Sequence, residues 1–369
     1  MRALITGANG FIAKNLIIRL KERNSFEIAT FTRSDDNQRL ISLVKDADII
    51  FHLAGENRPK SIEDFETNNV QLTQSLCDAV KLTGRKIPII FTSSTQSELN
   101  NPYGVSKKSS EEILRQFSRS FLNPVSIFRL PGVFGKWCRP NYNSVVATFC
   151  NNIAGGIPVA VHDSERVITL VYIDDVVDSL IQVIGFGSPE IQYVAVRPEY
   201  EISLGELAKQ IQLFKDSRTT LITENVGSGI IRCLYSTYLS YLSPAQFAYE
   251  LPVHSDSRGV FVEMLKTYDS GQFSFFTALP GVTRGGHYHH SKTEKFLVVQ
   301  GEAVFKFRHL VTNEMIEIHT SGTKSEIVES IPGWAHDITN IGVDNLIVLL
   351  WANEMFDRHL PDTISNPIN

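Results

Sequence analysis

Cysteine is scarce in this chain: four among 369 residues, at Cys77, Cys138, Cys150 and Cys233. They form no CxxC and no paired spacing, which argues against a disulfide framework and leaves reduced thiols of a cytoplasmic protein as the expectation. Long hydrophobic runs are missing as well. The longest unbroken one near the C-terminus, Leu346–Ala352, is far short of the roughly 20 residues a membrane helix needs. The first residues, Met1 to Gly7, read as a strand at once, so no signal peptide and no membrane partner are expected. Neither sign of charge dominates. Lys plus Arg is 35 and Asp plus Glu is 40, a net charge of −5, which supplies no basic field for nucleic acid and no separate acidic tail. Internal repeats and low-complexity tracts are absent. A composition of 43% hydrophobic and 20% charged residues excludes disordered and fibrous classes.

What is there begins with length. At about 150 residues per domain, the chain holds two, or at most three. Residues 1 to about 185 alternate short β-branched apolar runs (3–5, 27–31, 48–52, 87–92, 125–129) with amphipathic stretches such as 11–23 and 106–118. That alternation predicts a Rossmann-type α/β fold, a doubly wound parallel sheet covered on both faces. From about Ser255 the texture changes to short strand-like runs (259–265, 272–279, 295–299, 303–308, 325–329, 346–351) separated by Gly, Pro, Asn and Asp. These predict an all-β sandwich or barrel. Pro244 and Pro252 punctuate 243–256, so the expected domains are 1–245 and 246–369.

Thr6-Gly7-Ala8-Asn9-Gly10-Phe11-Ile12-Ala13 follows the first strand and opens the first helix. Gly7 permits a tight turn, Gly10 lets backbone approach a pyrophosphate, and Ala13 keeps helix and strand close. Phosphates would sit on the helix N-terminus, where unpaired N–H groups favour anions. The second strand ends in Phe31-Thr32-Arg33-Ser34, where an NAD-binding chain would carry a carboxylate for the ribose. A hydroxyl and the Arg33 guanidinium suit a 2′-phosphate, so NADPH is preferred. The alternative leaves Arg33 as a solvated loop residue and gives the ribose to Asp35 or Asp36. Farther on, Tyr103 and Lys107 lie four apart on one helix face, just after the buried strand Ile89–Ser94. An ammonium there would depress the phenol's pKa and let it protonate a carbonyl, with Ser94 hydrogen-bonding the same oxygen.

These motifs, with His52-Leu53-Ala54-Gly55, Asn69-Val70 and Val171-Tyr172-Ile173-Asp174-Asp175 in order, resemble the extended short-chain dehydrogenase/reductases, which act mostly on nucleotide sugars. The resemblance covers about residues 1 to 245. It implies Tyr103 as general acid, Lys107 on the nicotinamide ribose and Ser94 on the keto group. It puts Gly7, Asn9, Gly10, Phe11, Ile12, Arg33, Leu53 and Ala54 against the cofactor, beside Tyr103 and Lys107. Two departures stand out: only eight residues separate Ser94 from Tyr103, and the segment after Asp175 is short. Arg166 is the nearest candidate for the family's phosphate-binding arginine, with imperfect spacing; a surface arginine is the alternative.

In the β half, Gly281-Val282-Thr283-Arg284-Gly285-Gly286-His287-Tyr288-His289 precedes Glu294 and Gly301. On a strand, His287 and His289 share a face. With Glu294 and the later His336 they make an N/O set for a divalent transition metal. A metal-free histidine cluster is the alternative. The block resembles the cupin family and fits its Gly-x5-His-x-His-x4-Glu-x6-Gly pattern without a gap. The second block departs by placing Pro332 directly against Gly333. The resemblance covers about residues 255 to 360 and implies a double-stranded β-helix whose metal ligands are His287, His289, Glu294 and His336. Zinc is preferred because nothing signals redox chemistry, with Mn, Fe and Ni open. His290 stands beside the pattern, as a ligand in place of a neighbour, a proton donor or a substrate contact.

Arg284-Gly285-Gly286-His287-Tyr288 also resembles the Arg-Gly-x-His-Tyr segment of cupin epimerases of 4-keto nucleotide sugars, where a metal would polarise the ketone. Together the two resemblances imply consecutive steps on a 4-keto nucleotide sugar, and the pairing of the domains in this order resembles bifunctional enzymes of capsular polysaccharide synthesis, which implies a UDP-linked 4-keto-6-deoxy amino sugar. The barrel would epimerise C3 and the N-terminal domain would reduce the C4 ketone with NADPH. A homodimer is expected, since both families commonly dimerise. The epimerisation base stays open among His290, Asp337, Lys295 and Lys266. Rival readings keep the barrel as a dimerising or substrate-holding module, or make the whole chain an NADP(H) sensor.

Overall fold

A computed structural model of the chain describes residues 1–59, 61–185, 191–359 and 361–368. It divides into two compact units, Met1–Ile211 with Arg232–Leu242, and Gln212–Ile231 with Ser243–Asn369. The second unit thus takes in a segment that a single cut after residue 245 would leave in the first.

The first unit is built on five strands, β1 (Arg2–Thr6), β2 (Glu27–Phe31), β3 (Ile49–His52), β4 (Ile89–Ser94) and β5 (Val125–Leu130), joined by Ile191–Tyr193. All pair in parallel, in the order β2-β1-β3-β4-β5 and then Ile191–Tyr193. Parallel strands covered by helices on both faces must be apolar on both faces. Accordingly β3 and β4 are buried at every position. From β1 the chain goes to β2 on one side and returns to β3 on the other, which leaves a crevice beyond the carboxyl ends of β1 and β3. A smaller sheet of Gly132–Phe134, Val167–Tyr172 and Tyr200–Ser203 belongs to the same unit.

The second unit carries two mainly antiparallel sheets, of six and five strands. Phe276, Phe296 and Val348 from one and Phe305, Phe307 and Ile338 from the other share a single core. Each such side chain contributes about 1.5–3 kcal/mol on burial. Rossmann-type sheet first and all-β, cupin-type unit second is the order the sequence predicts. Leu221–Thr223 also belongs to this unit: Lys266 N–H donates to Leu221 O at 2.7 Å, and Thr223 N–H donates to Lys266 O at 2.8 Å. Among the described residues no helix is long and apolar enough to cross a membrane.

Candidate active site and metal centre

The crevice at the ends of β1 and β3 holds a cavity of about 270 Å³ lined by Gly7, Asn9, Gly10, Arg33, Leu53 and Ala54 among others. Gly7 has φ +68°, and a Cβ there would lie 2.6 Å from Ala54 Cα, so the turn requires glycine. Gly10 is the N-cap of α1 (Phe11–Glu22) and no side chain caps it. The helix therefore offers its first N–H groups to an anion. Beneath the turn His52 bridges Thr6 Oγ1 at 2.8 Å and Thr73 Oγ1 at 2.9 Å. Burial, aided by the Lys107 charge, lowers its pKa to about 3, so the imidazole is neutral.

The two carboxylates weighed for the ribose are engaged in their own loop. Asp35 accepts from Thr32 N–H at 2.7 Å and from Thr32 Oγ1 at 2.8 Å. Asp36 caps α2 (Asn37–Lys45) by accepting from Arg39 N–H at 2.8 Å. Arg33 lies on the cavity wall and donates to Glu56 at 2.6 Å.

An adjoining cavity of about 760 Å³ shares Leu53 and Gly55 with the first. Ser94, Tyr103, Lys107 and Arg166 all line it, as do Phe11 and Ile12. The helix Pro102–Phe121 starts on an Asn101 cap, with Pro102 in its first turn, and presents Tyr103 and Lys107 one turn apart. Lys107 Nζ donates to Thr92 O at 2.8 Å and stands 4.7 Å from the Phe91 ring centroid. Burial lowers its pKa to about 8, with Glu111 opposing. Burial raises the Tyr103 phenol, opposed by its hydrogen bond with Ser94. Behind them Glu111 accepts from Ser93 Oγ at 2.5 Å and from Arg129 Nη2 at 2.7 Å. Asn69, in the π-helical turn Glu66–Gln71, donates to Ser106 Oγ at 2.9 Å and clasps the backbone of Glu56 through both N–H and C=O.

In the second unit His287, His289, Glu294 and His336 bring one ligand atom each within 4.8 Å of one another. The strand Thr283–Tyr288 ends before His289, and a register shift between Gly285 and His287 sets His287 opposite His336 on Trp334–Asn340. His289 Nε2 and His336 Nε2 lie 3.0 and 3.2 Å from Glu294 Oε2. His289 Nδ1 hydrogen-bonds the Asp362 carbonyl oxygen, which fixes the ring with Nε2 turned toward Glu294. Burial works against ionisation of Glu294, but hydrogen bonds from His287, His289 and His336 hold it well below the usual range. Three imidazoles and an ionised carboxylate at this separation fit a borderline divalent metal.

His290 is exposed and outside this cluster. Its backbone, with that of Ser291 and Lys292, donates to the Asp362 carboxylate at 2.7–2.8 Å. Lys295 is exposed and paired with Glu329, and Lys266 pairs with Glu263 at 3.2 Å. Asp337 is buried, which raises its pKa, with Lys306 opposing. Lys292 is not among the site residues expected from the sequence. It is buried, lines a cavity with His287 and Glu294, and stands 4.0 Å from Glu294 Oε1. Its position two residues before Glu294 was the available signal.

Fold and cavities together define a dinucleotide-dependent α/β enzyme joined to an all-β unit with a candidate metal centre. The chain belongs to the NAD dependent epimerase/dehydratase family, which matches residues 3–195. Residues 254–364 match the polysaccharide biosynthesis C-terminal domain. The chain is 56% identical over 363 residues to the UDP-2-acetamido-2,6-beta-L-arabino-hexul-4-ose reductase of Pseudomonas aeruginosa, covering 98% of each. The crystal structure of capsular polysaccharide assembling protein CapF from Staphylococcus aureus superposes with a TM-score of 0.92 at 40% identity, covering all of both chains. A UDP-glucuronic acid 4-epimerase from Bacillus cereus, 20% identical, shares the fold of 58% of this chain at a TM-score of 0.53.

Proposed function

We propose that the first unit reduces the C4 ketone of UDP-2-acetamido-2,6-dideoxy-L-arabino-hexos-4-ulose, and that the second first inverts C3 of that sugar, for capsular polysaccharide synthesis. The observation that carries the reading is the convergence of Ser94, Tyr103 and Lys107 on one cavity beside an uncapped helix N-terminus. The P. aeruginosa relative, by its name, reduces this kind of keto sugar.

When bound, NADPH supplies the hydride that reaches C4. The chain's residues handle the proton and the orientation. Tyr103, kept protonated by burial, donates its phenolic proton to the ketone oxygen as that oxygen gains charge. Lys107, held on Thr92 O, keeps an ammonium near the resulting phenolate, and Ser94 hydrogen-bonds the carbonyl. Arg33 takes the cofactor's 2′-phosphate, since Asp35 and Asp36 are committed to their own loop. Arg166 takes a phosphate of the sugar nucleotide at the cavity rim.

In the second unit His287, His289, Glu294 and His336 hold zinc. When bound, it polarises the ketone as a Lewis acid, so that the C3 proton becomes acidic. Reduction afterwards removes that acidity and fixes the configuration.

The test is proton NMR of the 4-keto sugar in D2O with enzyme and without NADPH. Loss of the C3 signal, abolished by a chelator, is the expected outcome. Absence of exchange alongside brisk NADPH oxidation would leave a one-site reductase with a structural barrel. Tyr103→Phe is expected to lower reduction by about 10²–10⁴-fold and to leave exchange intact. His336→Ala should abolish exchange while NADPH binding survives; loss of both activities in either folded variant refutes the two-site reading.

A further inference from the structure

Arg33 lines the smaller cavity of the first unit and Tyr142 lines the larger; both bond to Glu56, which lines neither. Glu56 Oε2 accepts from Arg33 at 2.6 Å, and Oε1 accepts from the Tyr142 hydroxyl at 2.7 Å. The backbone N–H groups of Asn57 and Arg58 donate to Oε1 as well. The Glu56 side chain is 9% exposed, against 75% for Arg33. The fixed partner is the carboxylate, since Asn69 clasps its backbone from both sides. Burial disfavours its charge, but the hydrogen bonds from Tyr142 and Arg33 prevail and keep it ionised.

We propose that Glu56 is a positioning residue that, from behind both walls, holds Arg33 for the cofactor's 2′-phosphate and Tyr142 for the sugar nucleotide. The proposal rests on the NADPH reading above. An exposed guanidinium loses rotamer freedom when it takes a phosphate. Fixing one terminal nitrogen beforehand removes most of that loss and leaves the rest of a five-donor fork available. Four donors already share the carboxylate's charge, which limits its repulsion of an incoming phosphate. Because Tyr142 hangs from the same group, the two walls are set together.

Calorimetric titration of the full-length protein with 2′,5′-ADP and with 5′-ADP tests the first arm. The wild type is expected to favour 2′,5′-ADP by about tenfold or more, the range of a charge-assisted phosphate contact. Glu56→Gln keeps the shape and removes the charge. It is expected to cut that preference to about threefold or less, with 5′-ADP affinity changed less than about twofold. A merely loosened fold would weaken both ligands alike. An unchanged preference in Glu56→Gln overturns the proposal. A wild type with no preference overturns the NADPH reading itself, which is a separate failure.

Titration with UDP reads the second arm. Glu56→Gln and Tyr142→Phe are each expected to weaken UDP by about threefold to tenfold, and the double variant no more than either alone. Additive losses overturn the link to Tyr142. Should Glu56→Gln fail to fold, Tyr142→Phe carries the test: it is expected to shift the 2′,5′-ADP preference by about two- to threefold, and no shift overturns the bridge.

Discussion

Lys107 carries its proton against the pull of burial. Its pKa of about 8 lies below the ordinary lysine value of 10.5. Between the two, the unfolded chain binds more protons than the folded one, so this group makes stability rise with pH across about 8 to 10.5. Below about 8 the cost of the buried ammonium is fully present. Binding of an anionic cofactor runs the other way, because it needs the charge. The expected outcome is a fall in kcat/KM for NADPH as pH rises through about 8, the free-enzyme value. Over the same window Lys107 favours a rising Tm, against the background of the other titrating groups. A flat profile from pH 6.5 to 9.5 speaks against Lys107 as the charge that matters. Gly7→Ala is the complementary test of space. With a Cβ 2.6 Å from Ala54 Cα and φ at +68°, it should cost about 1–3 kcal/mol of stability and abolish detectable NADPH binding; thermal melts and fluorescence titration read both. At this scale the sequence is legible where side chains act within a local motif, as with Gly7, Gly10, Tyr103 and Lys107. Glu56 and Asp362 escape it because the side chains that bond the Glu56 carboxylate, Arg33 and Tyr142, lie 23 and 86 residues away, and the partners of Asp362 lie 70 to 73 residues away.

Among elements, the paired strands Thr283–Tyr288 and Trp334–Asn340 set the candidate metal centre. The irregularity between Gly285 and His287 lets His287 face His336. Gly285 has φ +95°, and a Cβ would stand 3.0 Å from Asp337 Cα. Gly285→Val is therefore expected to disturb the register and reduce bound metal from about one per chain to a small fraction, measured by elemental analysis. Chelation of the wild type should lower the thermal stability of this unit, because metal bound only to the folded state stabilises it by mass action. An unchanged melt after verified metal removal counts against a structural contribution. Strands with clean alternation, such as Gly271–Ala278, were readable in advance to within a residue or two, as was the helix at Phe11–Glu22. Met315–Ser321 was not, since its polar residues and half-exposed position mask the period. Nor was the π-helical turn at Glu66–Gln71, whose extra residue leaves no mark in the apolar pattern.

For the whole molecule, the change of texture near Ser255 announces two architectures, and the architectures are as expected. What hydropathy does not reveal is that the chain passes between units at 211/212, 231/232 and 242/243. Those passages are made by contacts between residues far apart in sequence. Leu221 and Thr223 clamp Lys266, and Arg218 donates to the Gln246 carbonyl at 2.5 Å. A fragment beginning at residue 246 loses each of these bonds. It is expected to melt several degrees below the second unit of the intact chain, about 1 kcal/mol for each backbone bond lost. Equal melting temperatures would show that 212–231 adds nothing to this unit.

The interleaving has a consequence for inheritance and engineering. A module that begins and ends at a single point in a gene can be moved by one cut, and recombination can pair it freely with new neighbours. Here a single crossover at the apparent seam strands twenty residues (212–231) on the wrong side. Grafting this β unit onto another reductase therefore requires the donor's 212–231 segment, and a single joint that keeps it carries along 232–242, eleven residues of the first unit against the twenty stranded by the later cut. Chimeras joined near 211 should outperform those joined near 245.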